Sequence, residues 1–96
     1  MSSPTKYVSL EAGVPQTIEV YRPAAKLVAV CNFTGTGEIF FRIDGGAVAV
    51  RGDGCEGVPA VTGQEVHVVA PRIGTGTISV SLIASAPVVA LVRAVS

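Results

Sequence analysis

Short apolar runs rich in Val and Ile, separated by Gly and Pro, divide this chain into segments of about 8–12 residues. β-Branched side chains fit a pleated sheet, Gly supplies the backbone angles of tight turns, and Pro interrupts a strand. No segment shows helical spacing of its apolar residues. The pattern therefore predicts one all-β domain, a small antiparallel β-sandwich or barrel of seven to eight short strands over residues 1–96, with 1–6 as a short polar N-terminal tail.

Alternation of apolar and polar residues predicts the faces of the strands. In the first strand, Val8 and Leu10 are expected to point inward and Tyr7 outward. The continuous apolar run at 26–33 is typical of a central strand that is covered on both faces. The first strand is predicted at 5–12, and further strands are predicted at 16–21, 38–43, 65–70, 77–85 and 88–95.

The middle of the chain carries a hairpin signal and a long loop. In the strand at 38–43, Phe41 is expected in the core and Phe40 on the opposite face as an exposed anchor. Asp44 followed by two glycines favours a tight hairpin, so residues 47–51 are predicted to return as a short strand. The longest irregular stretch, 52–63, is the favoured contact loop.

The composition indicates a protein that binds other macromolecules through apolar surface. Hydrophobic residues make up 49% of the chain and charged residues only 15%. A domain this small cannot hide so much apolar surface, and exposed apolar patches usually mark interfaces. The net charge is zero and the arginines are scattered, so the basic stripe of a nucleic-acid-binding domain is missing.

Residues that could perform catalysis are scarce. The only histidine, His67, shares a predicted strand face with Glu65, which allows at most a hydrogen bond or an ion pair. A nucleophilic mechanism would need a Ser or Cys and a carboxylate gathered around that histidine. The sequence therefore predicts no enzymatic activity and no cofactor or metal.

The two cysteines allow more than one interpretation. Cys31 lies in a predicted core strand and Cys55 in a Gly-rich loop. Free thiols are favoured, because buried reduced thiols behave as small hydrophobes. A disulfide and a metal site are the alternatives, although one histidine and two cysteines lack the spacing of a zinc site.

The ends of the chain predict neither export nor membrane insertion. The first residues are polar and lack the apolar core of a signal peptide. The apolar run at 88–95 is much shorter than the roughly 20 residues of a membrane-spanning helix. We therefore expect a protein that is made in the cytoplasm and has no membrane partner.

Several turn-bounded segments resemble a known family. The chain reads VSLEAGVPQTIEV, then LVAVCNFTGTGEIFFRIDGG, then VPA in the following loop, and finally a VSLIAS strand. Together these segments resemble small β-sandwich structural proteins of tailed bacteriophages. The resemblance implies a virion component without an active site: a capsid decoration (cement) or minor capsid protein, or a small tail-associated protein.

A decoration protein of this kind would be assembled in the host cytoplasm and located on the surface of the virion head. Its partners would be the lattice of the major capsid protein and further copies of itself, with a trimer as one arrangement. It would not bind nucleic acid or membranes. The long charged N-terminal arm that some decoration proteins use is missing here, so loops are expected to provide the grip.

Contact residues are expected in segments 2–7, 52–63 and 71–76. Aromatic and arginine side chains are favoured anchors of interfaces. The alternative function is a tail-associated structural or host-adhesion module that binds carbohydrate, although the chain has no Trp to stack on a sugar. The interface candidates are Tyr7, Phe40, Arg51, Glu56 and Arg72.

Overall fold

A computed structural model describes residues 5–21, 26–70 and 76–95 of the chain. It contains eight strands in two four-stranded sheets, and neighbouring strands in each sheet pair antiparallel. The predicted fold class, a small antiparallel β-sandwich, is confirmed. The strands are β1 (Thr5–Leu10), β2 (Gln16–Tyr21), β3 (Leu27–Gly35), β4 (Ile39–Arg42), β5 (Glu56–Val58), β6 (Glu65–Val69), β7 (Thr77–Ala84) and β8 (Val88–Val95).

The first sheet has the strand order β1-β8-β3-β6, and the second has the order β2-β7-β4-β5. The longest pairing joins β3 to β8, from Leu27 opposite Val95 to Gly35 opposite Val88. The register shifts between Asn32 and Thr34, which leaves Phe33 without a partner in the ladder. Such a bulge bends its strand and redirects the extra side chain.

The hydrophobic core lies between the two sheets. Val8 and Leu10 of β1 are buried and Tyr7 is exposed, as the alternation predicts. Phe41 is the largest fully buried side chain and pairs with Leu82 across β4 and β7. Burial of β-branched and aromatic side chains from both inner faces supplies the main stabilisation of the fold.

Asn32 is the one buried polar residue of the described chain, and it fastens two loops to the end of β3. Its Nδ2 donates to the carbonyl oxygens of Gly37 at 3.2 Å and Pro59 at 3.3 Å. These hydrogen bonds satisfy the NH2 group of the amide and offset part of the cost of burying it in an apolar interior. The side chain thereby joins β3 to the segments on either side of β4 and β5.

The predicted short strand at 47–51 is wrong, and so is the expected exposure of Phe40. Residues 43–55 form one loop between β4 and β5, here called the 43–55 loop. Glu38 and Arg42 lie on the same side of β4 as Phe40, one before it and one after it. Arg51 forms an ion pair with Glu38, and Arg42 Nη1 donates to the carbonyl oxygen of Ala47 at 3.4 Å. The loop is thus held across this side of the second sheet, and Phe40 is only 8% exposed.

Asp44 holds the start of the 43–55 loop through its carboxylate. Its oxygens accept hydrogen bonds from Arg42 Nε at 2.9 Å and Arg42 Nη2 at 2.7 Å, and from the backbone N–H of Gly46 at 2.9 Å. The guanidinium of Arg42, followed by the Gly46 N–H, lowers the pKa of Asp44 to about 2. The carboxylate therefore stays ionised in the folded protein well below the pH at which it would be protonated in the unfolded chain.

We expect Asp44→Asn to destabilise the protein at pH 5 and to make a clearly smaller difference near pH 2. Because the folded pKa is lowered, the stabilisation is present above the unfolded pKa and is lost as the pH falls through about 2. Urea midpoints of the two proteins, measured between pH 5 and pH 2, check this result. A difference in stability that grows as the pH falls would contradict it.

Candidate functional site

The outer faces of the two sheets differ in chemistry. The outer face of the second sheet is mostly polar along β2 and β7. Thr17 Oγ1 lies 3.1 Å from Ser81 Oγ. Glu19 Oε1 accepts hydrogen bonds from Thr77 Oγ1 at 3.3 Å and Ser79 Oγ at 3.5 Å. Hydroxyl and carboxylate groups in such a row suit contact with water.

The outer face of the first sheet is mostly apolar, and we call it the apolar face. Among its side chains, Val69 is 73% exposed, Tyr7 62% and Phe33 48%. Alternation along β8 adds further apolar side chains, because the core takes Val88, Ala90 and Val92 and leaves the residues between them outside. The apolar face consists of Tyr7, Leu27, Phe33, Val69, Val89, Leu91 and Val95.

The strand register gives the apolar face a defined centre. Tyr7 pairs with Leu91 across β1 and β8, and Leu91 pairs with Cys31 across β8 and β3. The rings of Tyr7 and Phe33 meet edge to face, with centroids 5.1 Å apart and planes at 73°. Phe33 reaches Tyr7 because the bulge in β3 releases it from the ladder. The two aromatic rings therefore form a fixed apolar corner beside Leu91.

One polar cluster crosses the apolar face, and we call it the polar bridge. Arg93 Nη2 donates to Glu65 Oε2 at 2.7 Å, and His67 Nε2 lies 3.1 Å from Glu65 Oε1. Ala29 of β3 stands between Arg93 and His67 in the register and is fully buried. Because Ala29 is small, Arg93 can pass over β3 to reach β6. The predicted contact between His67 and Glu65 is confirmed.

Glu65 holds the polar bridge together, and the side chains of Arg93 and His67 remain partly exposed. Both oxygens of Glu65 are engaged, one by Arg93 and one by His67. Burial raises the pKa of the neighbouring Cys31 thiol, and the Glu65 carboxylate adds to the rise. A thiol with a raised pKa is a weak nucleophile. The half-exposed side chains of Arg93 and His67 can still offer hydrogen bonds to a partner.

The four predicted interface residues that the structure describes lie on different surfaces. Tyr7 belongs to the apolar face. Arg51 lies on the opposite side of the molecule with its guanidinium against Glu38, and Phe40 is buried beneath the same loop. Glu56 is exposed at the start of β5, an edge strand, so the stretch 52–63 is not wholly irregular. Arg72 lies outside the described residues, as do 2–4 and 71–75 of the predicted contact segments.

The interpretation of the sequence missed most of the apolar face. Leu91 and Val69 could have been found by assigning the faces of β8 and β6, because apolar residues there occupy both sides of each strand. Phe33 and Arg93 gave no comparable signal. The position of the Phe33 side chain depends on the bulge in β3. The contact between Arg93 and Glu65 depends on which strand lies between β8 and β6.

A cleft of about 340 Å³ opens where the β6 edge of the first sheet meets the second sheet. Its lining combines apolar side chains with the charged residues Arg42, Asp44 and Glu56. In the part of the chain that the structure describes, no group of three or more His, Cys, Asp or Glu side chains could hold a metal ion. No helix within the same ranges is long and apolar enough to cross a membrane.

The two cysteines occupy different parts of the molecule. Cys31 lies on β3 with its side chain toward the apolar face, and Cys55 lies in the 43–55 loop. Both thiols are free. Comparisons of the chain with protein families, with curated proteins and with solved structures give no match.

Proposed function

We propose that this chain is a non-catalytic structural protein of a phage virion that attaches through its apolar face to the assembled head, as a decoration (cement) or minor capsid protein. The observation that carries the proposal is the contrast between the two sheets. One outer face is mostly polar along β2 and β7, and the other exposes Tyr7, Phe33 and Val69 together. Contiguous exposed apolar patches on folded proteins mark interaction sites.

The dimensions of the molecule suit this mode of binding. The chain measures 32 × 24 × 21 Å, so one sheet face is comparable to the roughly 800 Å² that each partner contributes to a stable interface. Burial of apolar surface would provide about 25 cal/mol per Å², from which the cost of association must be subtracted. Tyr7 and Phe33 are residue types that supply a large share of interface energy.

The polar bridge would give the attachment its specificity. Arg93 and His67 lie among apolar side chains and remain partly exposed. A partner that covers the apolar face would have to match their hydrogen-bonding groups, because buried polar groups left unpaired are costly. Apolar area would thus supply affinity, and the polar bridge would fix the orientation on the lattice.

The sequence motifs resemble small β-sandwich proteins of phage heads and of phage tails alike, and of these two locations we propose the head. The carbohydrate-binding alternative gains no support from the apolar face. Sugar sites stack a ring face against the ligand, whereas Tyr7 and Phe33 meet each other edge to face. A capsid lattice is therefore the partner we propose.

Co-sedimentation of the purified chain with emptied heads, and separately with isolated tails, of the phage that encodes it tests this proposal. We expect saturable binding to heads, at a copy number that matches the symmetry-related junctions of the lattice. Heads that already carry their full complement of the protein serve as the control and should take up none. Binding to tails at a few copies, or to neither particle, would refute the head assignment.

A further inference from the structure

The described strands form two sheets with four edge strands, and β6 is an edge strand without lysine, proline or a bulge. Proteins guard sheet edges with lysine, proline, bulges or very short strands. Among the described strands, β1 carries Lys6, β5 has three residues, and β2 belongs to the sheet with the polar outer face. β6 has five residues in unbroken register with β3, contains no lysine or proline, and ends at the highly exposed Val69.

The hydrogen-bond phase shows which backbone groups of β6 bond to β3 and which point away from it. The N–H of Ala70 donates to the carbonyl of Lys26, and the N–H of Asn32 donates to the carbonyl of Gln64, both at 2.9 Å. In an antiparallel ladder the bonded residues alternate, so the even-numbered residues of β6 bond to β3. The odd-numbered residues Glu65, His67 and Val69 direct their N–H and C=O groups away from β3, toward the side of β6 on which no described strand pairs.

We propose that two copies of this chain pair through β6 in antiparallel fashion about a two-fold axis at His67. This register is the one that uses all three of these odd-numbered residues in each strand. Glu65 of each copy then pairs with Val69 of the other, and the two His67 residues pair with each other. Each of these is a pair in which both backbone groups are exchanged. The first sheets of the two copies join into one eight-stranded sheet.

Charge and surface properties fit a second copy as the occupant of this edge. The register places no carboxylate opposite another, which would be unfavourable in a cross-strand pair. Glu65 is already neutralised within its own copy by Arg93 at 2.7 Å. Val69, the most exposed large apolar side chain, moves beside the second copy. The contact is isologous and closes after two subunits, so no open filament results.

This pairing is distinct from the proposed attachment to a head, because it uses the edge of the first sheet and leaves the apolar face uncovered. It makes the apolar faces of the two copies continuous across β6. The dimer would therefore present a doubled surface to a lattice. The pairing can nevertheless be tested on the purified chain without any phage particle.

Disulfide trapping tests the register directly. In a background carrying Cys31→Ser and Cys55→Ser, His67→Cys would place two thiols in a pair whose Cα atoms lie about 5.5 Å apart, within disulfide range. We expect a disulfide-linked dimer as the main species after mild oxidation. The matched variant Val69→Cys should stay monomeric on a non-reducing gel, because its two Cα atoms would lie about 14 Å apart.

Equal cross-linking of both variants, or of neither, would overturn the register. Sedimentation equilibrium of the unmodified chain supplies the second measurement, since it needs no variant that could fail to fold. We expect a dimer, and we expect a folded monomer for Val69→Pro, which removes an N–H that β3 does not use. An unmodified chain that is monomeric or trimeric would overturn the pairing through β6, whatever the result of the head-binding experiment.

Discussion

Replacing Phe41 by alanine is expected to lower the free energy of unfolding by about 3–5 kcal/mol. Phe41 is the largest fully buried side chain and lies in the centre of the second sheet, with β5 on one side and β7 on the other. Truncation removes its transfer free energy and leaves a cavity that the surrounding β-branched side chains fill only in part. Urea unfolding, followed by circular dichroism, measures this loss.

Phe33→Ala is the matched control, because it makes the same chemical change on the surface. Phe33 is half exposed and its described ring contact is the edge-to-face contact with Tyr7. An aromatic pair of this kind contributes about 0.5–1.5 kcal/mol beyond buried area, so we expect a loss of about 1 kcal/mol. Similar losses for the two variants would contradict the placement of Phe41 in the core and Phe33 outside it.

Much of the fold could be predicted from the sequence, because alternation within a strand is a local property. Val8 and Leu10 lie inside and Tyr7 lies outside, because successive side chains of a strand point to opposite faces. The prediction from the sequence rests on the same rule. The predicted limits of β2 also agree with the structure. These features required no knowledge of which strands are neighbours.

The region after β4 could not be predicted, because its structure depends on contacts between distant residues. Asp44 and the following glycines are typical of a tight hairpin, yet the carboxylate is taken by Arg42 and by the Gly46 N–H. Arg51 is drawn to Glu38 on the other side of Phe40. The chain therefore crosses the sheet as a loop and pairs only later, through β5.

Even less of the candidate site could be predicted from the sequence. Tyr7 was predicted because it is an exposed aromatic residue on an alternating strand. The polar bridge joins Arg93 to Glu65, residues on strands that β3 separates, so it depends on the strand order β8-β3-β6. The position of Phe33 on the apolar face depends on a bulge in β3, and no local sequence pattern predicts that bulge. The interface residues predicted from residue type alone were consequently scattered over several surfaces.

Replacing Leu91 by lysine is expected to weaken binding to emptied heads on the order of 100-fold. Leu91 lies at the centre of the apolar face, between Tyr7 and Cys31 in the register. Centres of interfaces supply most of the binding energy, and a lysine there would have to lose its hydration without a partner for its charge. The side chain is only partly buried in the free protein, so the fold should tolerate the change.

Ser79→Lys is the matched control, because it introduces the same charge on the other outer face. Ser79 lies on β7, an inner strand of the second sheet as β8 is of the first, and it is exposed. Its neighbour Glu19 can accept the new ammonium group. Both variants should keep the circular dichroism spectrum of the unmodified protein, and Ser79→Lys should bind heads with unchanged affinity.

Saturation binding of the unmodified protein, Leu91→Lys and Ser79→Lys to emptied heads therefore tests most directly whether the apolar face is the binding surface. The proposed attachment through the apolar face predicts a large loss for Leu91→Lys alone. Full binding by folded Leu91→Lys, or an equal loss for Ser79→Lys, would show that the protein binds through another surface.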